Sequence, residues 1–409
     1  MPLTDDARRI WTGAIRDALP DEAVRRALGG FVPGPGRLVL IAAGKAAWRM
    51  AKAAHDALDG RIDHGVVITK DGHSEGPIGA LAIREAAHPV PDGRSFAATR
   101  EAVDAVYGLG EEDTVLFLLS GGGSALFELP RIPEEDLARV TAELLERGAD
   151  IGAINTVRKR FSAVKGGRFA RLCAPAKVFA VLLSDVPGGR PDMIASGPVC
   201  PDPSTAADVR AAAERYRLTL TDRMRALLDE ETPKSVDNVT VTVTGSSRQL
   251  CLSAEGICRE LGYGTVFLTD RLSCTARDAG TFLADMARAH AGQGKKLAFI
   301  AGGETIVRVT GKGLGGRNQE VALAAAEGID GLDACVFSVG SDGTDGPTDA
   351  AGGCVDGRTY ARLLEKGIDP CEALYDNDSY HALKAAGSLI VTGPTGTNVN
   401  DLCAVLIGG

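Results

Sequence analysis

Apolar residues along this chain come in short, near-continuous runs. They occupy Arg37–Ala43, Gly65–Thr69, Thr114–Leu119, Val178–Ser184, Val239–Thr244, Thr265–Thr269, Lys296–Ala301, Ile306–Thr310, Ala334–Val339, Ser388–Thr392 and Leu402–Ile407. Runs rich in Val, Leu, Ile and Ala are the mark of strands buried on both faces. Helical periodicity fills most of the gaps, over Asp5–Ala18, Lys45–Leu58, Ser95–Tyr107, Glu134–Arg147, Asn155–Leu172, Ser246–Leu261, Thr275–Ala291, Arg317–Glu327 and Ser379–Ala386. Such alternation predicts an α/β protein with a parallel sheet covered by helices. The polar segment Leu218–Asp237, ending in Thr232-Pro233-Lys234, marks a boundary, so domains over 1–236 and 237–409 are expected. A chain of 409 residues is also long for one core.

A net charge of −9 and a pI near 5.3 argue against nucleic acid and anionic membranes as partners. Any bound anion must be held by a local cluster. No apolar run approaches the ~20 residues of a membrane helix. The opening MPLTDDARRIW lacks the apolar core of a leader. Nine scattered cysteines contain no C-x-x-C pair, which points to a reducing cytoplasm.

The chemistry-bearing residues sit just after predicted strands, where ligands bind in open α/β sheets. Ala301–Leu323 reads AGGETIVRVTGKGLGGRNQEVAL: glycines empty into a helix whose first turn carries Arg317, an arrangement suited to an anion such as phosphate. Gly311, Gly313 and Gly316 also spell G-x-G-x-x-G, but a dinucleotide site needs a βαβ unit and a well-spaced acid, and Asp342 stands too far on. Lys45 opens a helix after strand Arg37–Ala43, electrostatically misplaced unless it serves an anionic ligand. Ser120-Gly121-Gly122-Gly123-Ser124 follows another strand and can expose successive N–H groups to an anion. It is neither a Walker loop nor a nucleophile elbow.

Arg158, Lys165 and Arg168 on the predicted helix Asn155–Leu172 read as a solvated basic face, with Lys159 the one candidate for ligand contact. Asp185 ends strand Val178–Ser184, placed to hold Mg²⁺ or accept a hydroxyl proton. Asp342, Asp345 and Asp349 crowd one loop, which asks for a cation or for Arg317 in compensation. Thr397 and Asn398 lie in a last strand-end loop rich in small polar side chains, suited to substrate or nucleotide contact or to plain turn chemistry. His88, in the loop His88-Pro89-Val90-Pro91-Asp92, is a further proton-carrier candidate.

The ordered set AGKAA, HPVPD, LSGGGSAL, NTVRKRFSAVKGGR, SDVPG with IASGP, GGET with GKGLGGRNQE, GSDGTDGPTDAAG and GPTGTNVNDL spans nearly the whole chain. It resembles the class II glycerate kinases, whose C-terminal domain is called MOFRL; some members are labelled hydroxypyruvate reductases. The resemblance implies ATP- and Mg²⁺-dependent phosphorylation of D-glycerate to 2-phosphoglycerate. It implies a Rossmann-like N-terminal domain, a smaller α/β C-terminal domain and an active site in the cleft between them. The family's cleft lysine and arginine match Lys45 and Arg317. The residues named above then take roles: Lys45, Arg317 and Asp185 in catalysis, Ser120–Ser124, Lys159, Thr397 and Asn398 at the nucleotide, and Asp185, Asp342 and Asp345 at the metal. Where the family usually carries an Asp after SDVPG, this chain has Gly189; if that Asp serves the metal, either Asp185 or Asp192 substitutes for it or the metal site is weaker. The rival reading is an NAD(P)H-dependent hydroxypyruvate reductase. Oligomeric state is left open, a homodimer included.

Overall fold

A computed structural model describes residues 2–183 and 190–409. These residues form two compact units, one of residues 23–183 and 190–244, the other of residues 2–22 and 245–409.

The first unit is built on six strands: β1 (Leu38–Ala43), β2 (His64–Lys70), β3 (Leu81–Ala86), β4 (Thr114–Leu119), β5 (Lys177–Leu183) and β6 (Val239–Thr244). All pair in parallel, in the order β3-β2-β1-β4-β5-β6. β1 and β4 are buried at every position, in keeping with their unbroken apolar runs. Strand order reverses between β1 and β4, and that reversal opens a crevice beyond their carboxyl ends. Phe117, Phe127 and Phe169 lock the core beneath it, with ring centroids 5.0–5.4 Å apart. β3 escapes the apolar-run criterion because it is an edge strand, with Arg84 exposed and Glu85 half-buried. β6 belongs to this sheet, so the passage between units comes at 244, one strand after the expected junction at 236.

The predicted helix Asn155–Leu172 is two helices, Ile151–Phe161 and Arg168–Cys173. Gly166 and Gly167 between them are left-handed, with φ of +59° and +80°. Their N–H groups leave the helix pattern to bond Ser196 O and Gly197 O at 3.0 and 2.8 Å.

The second unit carries β7 (Gly264–Leu272), β8 (Leu297–Gly303), β9 (Ala334–Gly340), β10 (Gly352–Asp356), β11 (Leu389–Ile390) and β12 (Asp401–Ile407), ordered β11-β10-β9-β12-β8-β7. This sheet is mixed, not parallel throughout: β7 and β8 run parallel, while β12 is antiparallel to both β8 and β9. The expected strand Ile306–Thr310 reduces to a single bridge between Ile306 and Thr275. The first helix, Leu3–Asp17, also belongs here. Its apolar stripe Ala7, Ile10, Trp11, Ala14 and Ile15 is buried, and Trp11 packs edge-on against Phe337 of β9 at 5.3 Å. Buried Asp6 accepts from Tyr263 Oη at 2.7 Å and Lys296 Nζ at 3.0 Å.

Candidate active site

The loops after β1 and β4 meet at the point of strand-order reversal. Lys45 N donates to Gly121 O at 2.9 Å, Ser120 N to Ala43 O at 3.0 Å, and Ala46 N to Ser120 Oγ at 3.0 Å. Ser120 is buried, so its hydroxyl is a brace between the loops and not a ligand contact. Gly122 has φ of +88°, and a Cβ there would stand 3.1 Å from both His88 Nε2 and Lys45 Cγ. Lys45, His88 and the glycine turn are therefore neighbours. Among the described residues the N–H groups of Gly121, Gly122 and Ser124 have no acceptor. The Lys45 side chain is exposed and its ammonium has no partner among them. Three free backbone donors beside a free cation make an anion cradle. His88 is held below its ordinary pKa by burial and then by the charges of Lys45, Lys70 and His73. It stays neutral at pH 7 beside that cradle.

Lys159 does not face this site. It is buried against Asp202 at 3.1 Å, in a cluster where Thr232 Oγ1 also donates to Asp202. The basic surface expected of Arg158, Lys165 and Arg168 is absent as well: Lys165 is fully buried, Arg158 donates to Ser124 O at 3.1 Å, and half-buried Arg168 donates to Lys159 O, while neighbouring Arg160, also fully buried, donates to the carbonyls of Glu230 and Ser204. The segment braces surrounding loops with charge-assisted bonds, which spacing along a helix does not distinguish from a solvated face. Asp185 and Gly189 lie outside the described residues.

In the second unit Arg317 opens the helix Arg317–Ala326. Its guanidinium grips buried Asp401 through Nε (2.6 Å) and Nη2 (3.1 Å) and reaches Glu304 through Nη1 (3.0 Å). Three of its five N–H donors are engaged, and two have no partner among the described residues. Burial works against the guanidinium, but Asp401 holds its pKa above the ordinary value. Burial pushes Asp401 itself up to about 6, against the pull of Arg317. Arg317 lines a cavity of about 680 Å³ with Glu304, Thr305, Gly316 and Asp342. Thr305 Oγ1, buried there, has no hydrogen-bond partner among the described residues.

The glycine loop before Arg317 behaves differently from the one at Gly122. Gly311 N bonds Asn377 Oδ1 (2.9 Å), Lys312 N bonds Asp376 Oδ1 (2.9 Å), Gly313 N bonds Asp376 O (2.8 Å) and Leu314 N bonds Asp378 Oδ1 (3.0 Å). Two carboxylates, an amide oxygen and a backbone carbonyl of the chain itself occupy the donors that the sequence suggests for phosphate. Glycine is needed because the backbones touch: a Cβ on Gly311 would lie 2.2 Å from Asp376 O. No strand leads directly into this loop, β8 having ended at Gly303, so the G-x-G-x-x-G match is not a dinucleotide turn.

Asp345 is likewise taken. Its carboxylate accepts from Asn318 N (3.1 Å), Gln319 N (2.9 Å) and Gln319 Nε2 (3.0 Å), capping the helix from another loop. That occupancy gives it a structural task in place of the expected metal ligation. Asp342 is less committed: Oδ1 accepts Thr344 N at 3.0 Å and the side chain is half-exposed. Thr397 Oγ1 bonds Ala18 O at 2.8 Å, closing the end of the first helix, while Asn398 is exposed.

Residues 6–229 match the model of the domain of unknown function DUF4147, and residues 297–401 match the MOFRL family. The D-glycerate 2-kinase of Thermotoga maritima is 50% identical over 96% of both chains. The glycerate 2-kinase of Pyrococcus horikoshii is 41% identical over 91% of this chain and 88% of its own. This chain belongs to the glycerate 2-kinase family. A crystal structure of a Thermotoga maritima glycerate kinase superposes with a TM-score of 0.93 at 47% identity, covering 99% of each chain. Family membership thus agrees with the doubly wound first sheet and the MOFRL match in the second unit. Among the described residues no helix is long and apolar enough to cross a membrane.

Proposed function

We propose that this chain is a glycerate 2-kinase that transfers the terminal phosphoryl group of ATP directly to the 2-hydroxyl of D-glycerate. The observation that carries this reading is the cradle at the β1/β4 reversal, with three N–H groups and the Lys45 ammonium that have no partner among the described residues. Relatives 50% and 41% identical, named for this activity, supply the substrate.

Phosphoryl transfer needs positioning and charge neutralisation more than covalent chemistry. The N–H groups of Gly121, Gly122 and Ser124 bind phosphate oxygens, and Lys45 adds a point charge to the moving group. Neutral His88 adds no further charge next to Lys45. Arg317 offers its two remaining N–H donors to the glycerate carboxylate or the phosphoryl group, while Asp401 keeps the guanidinium plane fixed. Asn398, exposed beside Thr397, is assigned to nucleotide contact.

The described residues contain no group of three metal-ligating side chains. Mg²⁺ at phosphates retains waters and takes one or two carboxylates, and Asp342, whose Oδ2 has no hydrogen-bond partner among the described residues, fits that lesser demand. When bound, Mg²⁺ neutralises phosphate charge.

The test is ADP release by purified protein given D-glycerate, ATP and Mg²⁺, with 2-phosphoglycerate identified by phosphorus NMR. ADP release indifferent to glycerate, or NADH oxidation by hydroxypyruvate without ATP, refutes the reading.

A further inference from the structure

Lys165 has no solvent exposure. Its ammonium lies among three carbonyl oxygens, Ser124 O and Phe127 O at 3.1 Å and Ala195 O at 3.2 Å. The buried carboxylate of Glu128 stands 3.5 Å away. Three N–H donors thus meet three acceptors. Removing an ammonium from water is costly, and apolar packing usually fills such a volume at no loss of stability. Burial accordingly draws Lys165 down to about 8, against the charge of Glu128. A buried charge of this kind calls for a task that packing cannot perform.

Its partners show the task. Ser124 closes the turn that carries the free N–H groups, and Phe127 caps the short helix Gly123–Leu126 that continues from it. Ala195 begins three consecutive left-handed residues, with φ of +48°, +62° and +64° at Ala195, Ser196 and Gly197. Two non-glycine residues in that region are strained and persist only where the surroundings hold them. The same short segment does the holding: Lys165 Nζ takes Ala195 O, Gly166 N takes Ser196 O and Gly167 N takes Gly197 O. The strained segment supports the glycine turn from below, since a Cβ on Gly123 would lie 2.9 Å from Ala195 Cβ.

We infer that Lys165 is a positioning residue for phosphoryl transfer: from inside the core it ties the Gly121–Ser124 turn to the Ala195–Gly197 segment, so that the free N–H groups keep a fixed aim. This rests on the kinase reading above. Lys165→Met alone leaves the Glu128 carboxyl buried without its cation, so the decisive variant is Lys165→Met/Glu128→Gln, which removes the pair and leaves Phe127 O and Ala195 O untied, Ser124 O keeping only Arg158. The control is Leu144→Ala, which weakens the separate core around Val157 and Phe161. For each variant, melting temperature is measured beside kcat and the separate KM values for ATP and D-glycerate. The expected result is a folded double variant whose kcat/KM for ATP falls about 100-fold, with KM for D-glycerate little changed and Leu144→Ala kinetically intact. A folded double variant with wild-type kcat and KM for ATP overturns the inference. So does the same kinetic loss in Leu144→Ala, or a double variant that cannot fold. Wild-type protein lacking glycerate-dependent ADP release refutes the kinase reading instead, and the two failures are thereby told apart.

Discussion

Replacing Arg317 by alanine tests more than catalysis, because Arg317 is the partner of a buried carboxylate. Asp401 has a side chain only 4% exposed and receives two of the guanidinium N–H groups. Removing one member of a buried pair costs about 3–5 kcal/mol. In a unit of this size that lowers the melting temperature by about 6–20 °C. The pH dependence has a definite sign. Burial already sets Asp401 at about 6 with Arg317 present, and loss of the arginine raises it further. A carboxyl whose folded pKa exceeds its unfolded value of about 3.9 destabilises the fold progressively as pH climbs to the folded midpoint. Wild type and variant share that slope up to about pH 6. Above it only the variant still holds the proton, and the gap between them widens by about 1.4 kcal/mol per pH unit until its own midpoint. Calorimetry of wild type, Arg317→Ala and Arg317→Ala/Asp401→Asn between pH 5 and 8.5 reads this directly. The single variant should approach wild type at low pH and fall away above pH 6, and the double variant should regain most of the loss. An Arg317→Ala melting temperature equal to wild type at pH 8, or a gap independent of pH, refutes the reasoning. Kinetics of the double variant then isolate the chemical role of Arg317, with an expected loss in kcat of about 10²–10³-fold.

Lys45→Ala should lower kcat by about 10²–10³-fold with an almost unchanged melting temperature, because the exposed ammonium holds nothing in the described fold; a large loss of stability would contradict that placement. Gly122→Ala has to adopt φ near +88° and insert a methyl group against His88 and Lys45. It should cost about 1–2 kcal/mol and raise KM for ATP, and a wild-type KM would detach the turn from nucleotide binding. Asp345→Ala removes a helix cap, for which about 0.5–2 kcal/mol is expected, with the Mg²⁺ titration curve unmoved; Asp342→Asn should shift that curve to higher Mg²⁺ with little effect on stability. NMR titration of His88 should give a midpoint below 6.5. Since the folded state resists protonating it, the associated stability is lost as pH falls through 6.5, and a midpoint above that value would show His88 to be paired with an acid.

The apolar runs were legible because strands inside a doubly wound sheet are buried on both faces and need unbroken Val, Leu, Ile and Ala; β1 and β4 are the clearest cases. β3 was not legible, since an edge strand carries Arg84 and Glu85 without penalty. The same local rule failed at 306–310, whose β-branched residues remain outside either sheet. At the site, Lys45 and the Ser120–Ser124 turn followed from glycines and a lysine placed after strands. Lys159, Asp345 and Thr397 did not separate from them, because a polar residue beside glycine looks alike whether it faces a ligand or a buried partner.

By itself the amino-acid order determined the α/β class, the family and the loops that could carry chemistry, since these depend on spacing along the chain. Only the tertiary structure decided which glycine loop keeps its amides free. Both loops have the same local licence for close approach. At Gly311–Leu314 the amides find Asp376, Asn377 and Asp378, more than sixty residues distant, whereas at Gly121, Gly122 and Ser124 none of the described residues supplies an acceptor. Whether a backbone donor is satisfied depends on which remote segment packs against it, and that is a property of the folded chain.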